Sequence, residues 1–304
     1  MAKPNLIFYI PFAKLTFTKG INLKTTIVLF LLALASTAFS ASDSTYYPQD
    51  FFNKLSGSAL KDEALKVELN KVLVSNHQRD SKGGRDTLGC DTAGVANCYG
   101  HRVLGYDGAR KVLFGKLHIE SNNGQYFIKD VYCHKIFAGG ANVRPGAIPN
   151  NNQINCEHTW PQSKFSGLYP KEMQKSDLHH LYPTDSKANS VRGNFDFAEI
   201  THENGMLDGC EASKSGSSNE GGGSDELFEP PSEHKGNVAR ALFYFSVRYK
   251  ITIPKNEEPV LRRWNELDPV DDAERERNEQ IYYAQGNRNP FIDFPNLANY
   301  INKF

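Results

Sequence analysis

The sequence has no long apolar run, no internal repeat and no excess of charge of either sign. No run reaches the about 20 apolar residues that a membrane-spanning helix needs. A Gly-X-Y period and a long heptad pattern are also absent, which excludes fibrous proteins. Lys and Arg together number 35, as do Asp and Glu, so net charge alone identifies no polyanionic partner. The 304 residues are 39% hydrophobic and 12% aromatic, which indicates a folded domain rather than a disordered chain.

Two common zinc-binding motifs are missing as well. The lack of Cys-x-x-Cys argues against a zinc ribbon, and the lack of His-Glu-x-x-His argues against a zincin protease. Cys90 and Cys98 lie close together in a turn-rich segment, where an oxidising compartment would allow a local disulfide. The number of cysteines is odd, so at least one thiol has no intramolecular partner. The cysteines are Cys90, Cys98, Cys133, Cys156 and Cys210.

The first 40 residues predict a secretory signal peptide. They contain four lysines and no acidic residue, then an apolar run at 26–35 and a small-x-small site at 38–40. The alternative is a membrane anchor, for which this run is too short. We therefore expect a mature domain at 41–304 that is exported to the periplasm or outside the cell, without stable membrane association.

Charge is unevenly distributed over this mature chain. Without the four N-terminal lysines it has 31 basic and 35 acidic residues, a net charge of −4, and the segment 203–233 alone carries −7. The remainder is therefore mildly basic, at about +3, which is compatible with a polyanionic substrate. We expect 203–233 to be an acidic, low-complexity loop that lies away from any groove for such a substrate.

Hydrophobic patterns predict an α+β domain, mixed but mainly helical. Apolar residues at helical spacing indicate helices within 41–80, at 237–249 and at 270–284. Residues 125–133 alternate and are rich in strand-forming residues, so we expect a strand there. The order of elements favours one mixed domain.

A Glu-His pair is the first candidate for chemistry. Glu157 offers a hard carboxylate ligand and His158 a base, and Pro161 is expected to end the strand that carries them. Neighbours in a strand point to opposite faces, so the pair serves one site only at a strand end or in a hairpin. Alone, such a pair fits a structural role equally well.

The segment 175–197 combines polar residues with apolar ones, which indicates a packed site rather than a solvated surface. It contains Asp177 and His179, and Asp185 follows a proline at a predicted helix start. Asn189 would then lie in the first two turns of that helix.

Together these motifs resemble the endonuclease I family of secreted and periplasmic nucleases. The resemblance covers about residues 99–295 and implies a ββα-metal, or His-Me, finger at about 153–195 within the α+β domain. The matching segments are 157–163, 176–179, 189–195, 228–231, 235–244, 268–270 and 285–291.

The resemblance implies metal-dependent, sequence-nonspecific cleavage of DNA, and often of RNA, that leaves 5′-phosphates. By position, His158 corresponds to the general base, and Glu157 and Asn189 to the ligands of one divalent cation. The cation is usually Mg²⁺, with Mn²⁺ and Ca²⁺ as alternatives. These roles suit phosphodiester hydrolysis, because a neutral imidazole accepts a proton near pH 7 and a sparsely liganded cation keeps positions for phosphate oxygens. We expect a monomer.

The remaining candidate residues are expected to contact phosphate or to support the site. Relatives with a longer insertion after the Glu-His pair carry a phosphate-contacting arginine there, which this chain lacks. We predict that Arg192 takes that role, with Lys164 and then Arg288 as alternatives. Asp177 and His179 are expected to hold neighbouring site residues in position rather than to take part in the reaction.

Two other functions stay open at this level. One is an exported nucleic-acid-binding module without catalysis, which the missing arginine favours. The other is a different metallohydrolase, for example a zinc phosphatase or protease that uses His158, His179 and His180. We further expect Trp160 to belong to the core rather than to stack on a base.

Overall fold

A computed structural model describes residues 44–56, 60–219 and 226–304. Within these residues helices dominate and the sheets are small, which confirms the predicted α+β class. The predicted signal peptide, residues 1–40, lies outside the described residues. In the described segments, no helix has the length and apolar character needed to cross a bilayer.

The described helices agree with the hydrophobic patterns. Segment 41–80 contains two helices, and the helices predicted at 237–249 and 270–284 are present as α6 and α8. In chain order the α-helices are α1 Gln49–Ser56, α2 Asp62–Val74, α3 Tyr106–Val112, α4 Lys171–Lys175, α5 Ser186–Arg192, α6 Lys235–Tyr249, α7 Glu258–Leu267, α8 Asp272–Gln285 and α9 Pro290–Asp293. Short 3₁₀ turns occur at Gly139–Ala141, Gln162–Lys164, Leu178–His180, Ser232–His234 and Pro295–Tyr300, and a π-helical turn at Leu113–Leu117.

The strands are short and form several small sheets. They are β1 His77–Gln78, β2 Thr87–Leu88, β3 Cys98–Tyr99, β4 Glu120–Asn122, β5 Gln125–Lys129, β6 Ile136–Phe137, β7 Ile154–His158, β8 Leu181–Asp185, β9 Asp196–Phe197, β10 His202–Glu203, β11 Lys214–Ser217 and β12 Leu227–Glu229. The sheet orders are β2-β1-β3, β4-β5-β6, β7-β8 and β10-β11-β12-β9. β5 is shorter than predicted because the Asp130 carboxylate accepts hydrogen bonds from the backbone N–H groups of Tyr132 and Cys133 and turns the chain.

Helix α6 is the centre of the larger hydrophobic core. Nearly every residue of this helix is buried, including the charged Arg240 and Arg248. It packs against α2, α7 and α9. A second, smaller core lies beneath β7 and β8 and includes side chains of α3 and β5. The strand pair β7-β8 is therefore held from behind by packed apolar side chains.

The acidic segment 203–233 differs from the predicted loop. It contains β11 and β12, and β12 pairs in parallel with β9. Phe228 of β12 is fully buried, so apolar packing fixes this part of the segment despite its high acidic content. Composition alone did not reveal this packing.

Two disulfides connect the described residues. Cys90 bonds to Cys98, as the local spacing predicted, and Cys133 bonds to Cys210 across 77 residues. Cys156 is a buried free thiol, and burial raises its pKa to about 12, so it is protonated at neutral pH.

Candidate active site

The strands β7 and β8 and the helix α5 form a ββα unit around the Glu-His pair. β7 and β8 are antiparallel, with His158 opposite Leu181. The carboxylate of Asp185 accepts hydrogen bonds from two backbone N–H groups at the start of α5. The helix ends at Gly193, whose φ of +52° lies in the left-handed region that glycine tolerates. This is the order of elements that the sequence resemblance implied.

An open cleft of about 390 Å³ lies between β7 and the C-terminal half of α5. Its lining is mainly polar, and the predicted base and the two predicted metal ligands meet there. The lining includes Tyr106, Asn155, Glu157, His158, Gln162 and Asn189.

Hydrogen bonds determine the tautomer of His158. The ring Nε2 lies 3.1 Å from the backbone carbonyl oxygen of Lys175, which only accepts hydrogen bonds, so Nε2 carries the proton. The unprotonated Nδ1 lies 3.5 Å from the side-chain nitrogen of Gln162, at the cleft. Burial lowers the pKa of His158 to about 3, so the ring is neutral at pH 7. A neutral imidazole with a free lone pair can accept a proton.

Glu157 is held by two partners through one of its oxygens. Oε1 accepts a hydrogen bond from the hydroxyl of Tyr132 at 2.8 Å and is ion-paired with the guanidinium of Arg192 at 2.9 Å. Burial raises the pKa of Glu157, and both partners oppose that rise. The carboxylate therefore has a fixed orientation at the floor of the cleft.

The amide of Asn189 is oriented by acceptors on β7. Its nitrogen donates to the side-chain oxygen of Asn155 at 2.9 Å and lies 3.5 Å from the carbonyl oxygen of Cys156. Because the carbonyl cannot donate, the amide nitrogen faces β7 and the amide oxygen is free for another partner.

The available donor set fits one hard divalent cation. Glu157 and Asn189 contribute a carboxylate and an amide oxygen to the same cleft, and oxygen is the ligand that Mg²⁺ prefers. Among the described residues, no group of three or more His, Cys, Asp or Glu side chains could hold a metal. Any metal bound here would consequently keep several positions for water or substrate.

Comparison with known proteins agrees with this geometry. The model of the family described as Endonuclease I matches residues 62–296. The chain belongs to the endonuclease I family. This confirms the resemblance that the sequence motifs indicated.

Several relatives of the chain have names that describe them as extracellular nucleases. An extracellular ribonuclease of Bacillus subtilis (strain 168) is 40% identical over 170 residues, which are 50% of this chain and 55% of the relative. An extracellular ribonuclease of Bacillus amyloliquefaciens is 39% identical over 165 residues, 48% of this chain and 53% of the relative. An extracellular deoxyribonuclease of Aeromonas hydrophila is 28% identical over 119 residues, 39% of this chain and 49% of the relative. The chain thus spans about half the length of these relatives.

Arg192 lies behind the cleft of this endonuclease I family member rather than at its surface. It is 1% exposed, and its guanidinium donates to the backbone carbonyls of His158 at 2.9 Å and Thr159 at 2.7 Å, besides its ion pair with Glu157. This position does not favour the predicted phosphate contact, because the side chain is buried and both terminal nitrogens bind groups inside the protein.

The two alternative cations are also ion-paired within the protein, Arg288 in the interior and Lys164 at a partly exposed position. Lys164 forms an ion pair with Asp196. Arg288 is buried between Glu279 and Asp293. Neither position favours the predicted phosphate contact.

Asp177 and His179 lie in a buried hydrogen-bond network behind the cleft. The Asp177 carboxylate accepts hydrogen bonds from the hydroxyls of Tyr244 and Tyr249, both at 2.8 Å, and from the side chain of Gln285 at 2.7 Å. His179 Nε2 donates to the carbonyl oxygen of Asn287 at 3.2 Å. The network fixes the turn that follows α4, and α4 ends at Lys175, whose carbonyl orients His158.

His180 and Trp160 are both buried in the core. The His180 ring contacts Phe245, and its Nε2 donates to the carbonyl oxygen of Gln174 at 2.8 Å. Trp160 stacks on Phe245 and is 4% exposed. His180 is therefore buried beneath His158, with its ring 5.4 Å from that of His158, and it does not line the cleft. The indole belongs to the core and is not a free platform for a base.

The sequence analysis missed two residues of the site. Tyr132 lies 25 residues before Glu157 and meets it only because of the fold. Tyr106 is the first residue of α3, and its ring lies 5.6 Å from that of His158. Neither tyrosine belongs to a local pattern that would have marked it.

Proposed function

We propose that this protein is a divalent-metal-dependent, sequence-nonspecific endonuclease that hydrolyses phosphodiester bonds of DNA and RNA. The single observation that carries the proposal is the meeting of His158, Glu157 and Asn189 at one open cleft. Membership of the endonuclease I family and the names of the relatives support it.

One side chain accepts a proton in the proposed reaction, and two others would bind the metal ion. His158 Nδ1 accepts the proton of the attacking water, and the Lys175 carbonyl keeps the other ring nitrogen protonated, so that the base stays in one orientation. Glu157 and Asn189 are the residues that would hold Mg²⁺. When bound, this ion neutralises charge that develops on the phosphate and the leaving oxygen.

Arg192 and Tyr132 act as positioning residues in this account. Both bind Oε1 of Glu157, so Oε2 is the oxygen that we assign to the metal. The Arg192 guanidinium also binds the backbone carbonyls of His158 and Thr159, which connects the metal ligand to the strand that carries the base. This role replaces the predicted contact between Arg192 and phosphate.

The zinc-hydrolase alternative is less favoured, because it needs His158, His179 and His180 around one ion. His179 and His180 donate through Nε2 to the carbonyls of Asn287 and Gln174, away from the cleft. We infer that both rings are structural. We also propose that the protein is exported, which agrees with two disulfides and with relatives named extracellular.

The test is the metal dependence and the end groups of cleavage. Protein from residue 41 onward is incubated with a DNA restriction fragment in Mg²⁺, in EDTA, and after return of Mg²⁺ or Zn²⁺. We expect fragments of many lengths in Mg²⁺, none in EDTA, and recovery with Mg²⁺. Ends should accept labelled phosphate from a polynucleotide kinase only after phosphatase treatment, as 5′-phosphates require.

Two results would contradict the proposal. Recovery with Zn²⁺ alone would favour the metallohydrolase. Retardation of DNA in a gel without cleavage in any metal would favour the binding module.

A further inference from the structure

Two cations lie on the ring of Tyr106, in the wall of the cleft. The Lys175 Nζ is 4.1 Å from the centroid of this ring, and the Arg110 Cζ is 4.6 Å from it. The same ring lies 5.6 Å from that of His158. The face of an aromatic ring attracts cations, so Tyr106 holds two positive charges beside the candidate base.

Neighbouring carboxylates balance these charges only in part. Arg110 is ion-paired with Asp107 of the same helix at 2.5 Å, but the Asp107 side chain is 75% exposed, so water weakens this pair. In the part of the chain that the structure describes, the buried Nε of Arg110 has no hydrogen-bond partner. Glu172 is the other carboxylate here and accepts a hydrogen bond from the backbone N–H of Tyr106. Lys175 is partly exposed at the rim.

We propose that Lys175 and Arg110 bind a phosphate of the nucleic-acid strand that neighbours the scissile phosphate. This inference rests on the proposed nuclease function. Of the three cations expected from the sequence, Arg192 and Arg288 are buried and Lys164 is ion-paired with Asp196, whereas Lys175 and Arg110 lie on the ring of Tyr106, which lines the cleft. A guanidinium and an ammonium are the groups that proteins use to bind phosphate.

The contact is assigned to a neighbouring phosphate because the cations lie on the ring of Tyr106, whereas the base and the proposed metal ligands line the cleft themselves. A contact of this kind forms equally in the bound substrate and in the transition state. Its loss therefore raises KM and leaves kcat nearly unchanged.

The test measures binding separately from cleavage. In a His158→Ala background, which keeps the substrate intact, DNA affinity is measured at several salt concentrations for the parent, Lys175→Gln and Arg110→Gln. We expect each substitution to reduce the slope of log K against log salt by about 0.9 for duplex DNA. With His158 present, Arg110→Gln should raise KM several-fold and change kcat less than twofold.

Lys111→Gln is the matched control. Lys111 follows Arg110 in α3 and is exposed, and its substitution removes the same positive charge. It should leave the slope unchanged. An equal loss of slope in the control, or an unchanged slope in both test variants, would overturn the inference while leaving the nuclease function intact. A parent protein without salt-dependent DNA binding would overturn both.

A substitution that removes a negative charge beside Arg110 provides a second test. Asp107→Asn removes the exposed carboxylate that competes with phosphate for Arg110. We expect tighter DNA binding from this variant, and no gain when Arg110→Gln is also present. Weaker binding by Asp107→Asn would contradict the assigned role of Arg110.

Discussion

At the residue scale, the candidate site depends on hydrogen bonds whose direction is unambiguous. The carbonyl of Lys175 determines which nitrogen of His158 is protonated, and the carbonyl of Cys156 helps to determine which end of the Asn189 amide faces the cleft. Glu157 is held in the same way by donors that are themselves buried. Preorganised groups of this kind need little rearrangement when substrate binds.

Tyr132→Phe tests the hydrogen bond to Glu157. It removes one hydroxyl at 2.8 Å from Oε1 and keeps the ring in the core. Partners that orient a metal ligand contribute strongly to affinity, so we expect Mg²⁺ or Mn²⁺ to bind about 10- to 100-fold more weakly in calorimetric titration. Tyr282→Phe removes an equivalent hydroxyl bonded to Tyr99 and should leave metal affinity unchanged. Equal affinities for all three proteins would contradict the role of Tyr132.

Arg192→Met tests the buried ion pair. It leaves Glu157 without its cation, and we expect a loss of about 3–5 kcal/mol in the free energy of unfolding together with weaker metal binding. Arg240→Met is matched, because Arg240 is a buried arginine paired with Glu274 in another region. It should lose comparable stability but keep metal affinity. If both variants lose metal affinity equally, Arg192 acts only through stability.

At the element scale, the loops behind the cleft are fixed by covalent and hydrogen bonds. The carbonyl of Tyr132 accepts a hydrogen bond from Ser213, and the disulfide Cys133–Cys210 joins the same two segments. The loop that presents Tyr132 to Glu157 is therefore attached to the sheet containing β11.

The two disulfides should differ in their contribution to stability. Cross-linking across 77 residues restricts the unfolded chain more than cross-linking across eight. In the chain-entropy model, these losses are about 4.5 and about 2.5 kcal/mol. We expect Cys133→Ala/Cys210→Ala to lower the free energy of urea unfolding more than Cys90→Ala/Cys98→Ala does. The reverse order would show that loop length does not govern the effect.

The sequence predicted the elements whose pattern is local. Helix α6 has apolar residues at helical spacing, and the predicted helix start before Asn189 is confirmed by the Asp185 cap. Strand β11 was missed because its glycine- and serine-rich sequence forms a strand only through its neighbours. Tyr132 and Tyr106 were missed because long-range packing brings them to the cleft. The burial of Arg192 and Arg288 was not predicted, because burial cannot be read from charge.

At the scale of the whole molecule, the fold buries several histidines in their neutral form. Burial lowers the pKa of His77 and His180 to about 4 and that of His179 and His234 to about 3. An unfolded histidine titrates near 6.5, so below that pH the unfolded chain binds more protons than the folded protein.

Stability should consequently decrease on acidification from pH 7.5 to 5.5. Each such histidine removes about 1.3 kcal/mol over this interval. Carboxyls whose pKa burial raises, such as Glu257 at about 7, act in the opposite direction, but seven buried or partly buried histidines have a lowered pKa. Urea unfolding at both pH values tests this, and His77→Phe should reduce the loss of stability by about 1.3 kcal/mol. Equal or greater stability at pH 5.5 would contradict the prediction.

The most direct test of the central claim is nicking of supercoiled plasmid by the mature chain, with and without His158, in Mg²⁺. General base catalysis contributes about 10²- to 10⁴-fold, so the account predicts a loss of that size in the single-turnover rate of His158→Ala. His202→Ala removes an exposed histidine outside the cleft and should cleave like the parent. Equal cleavage by His158→Ala and the parent would contradict the assignment of the base.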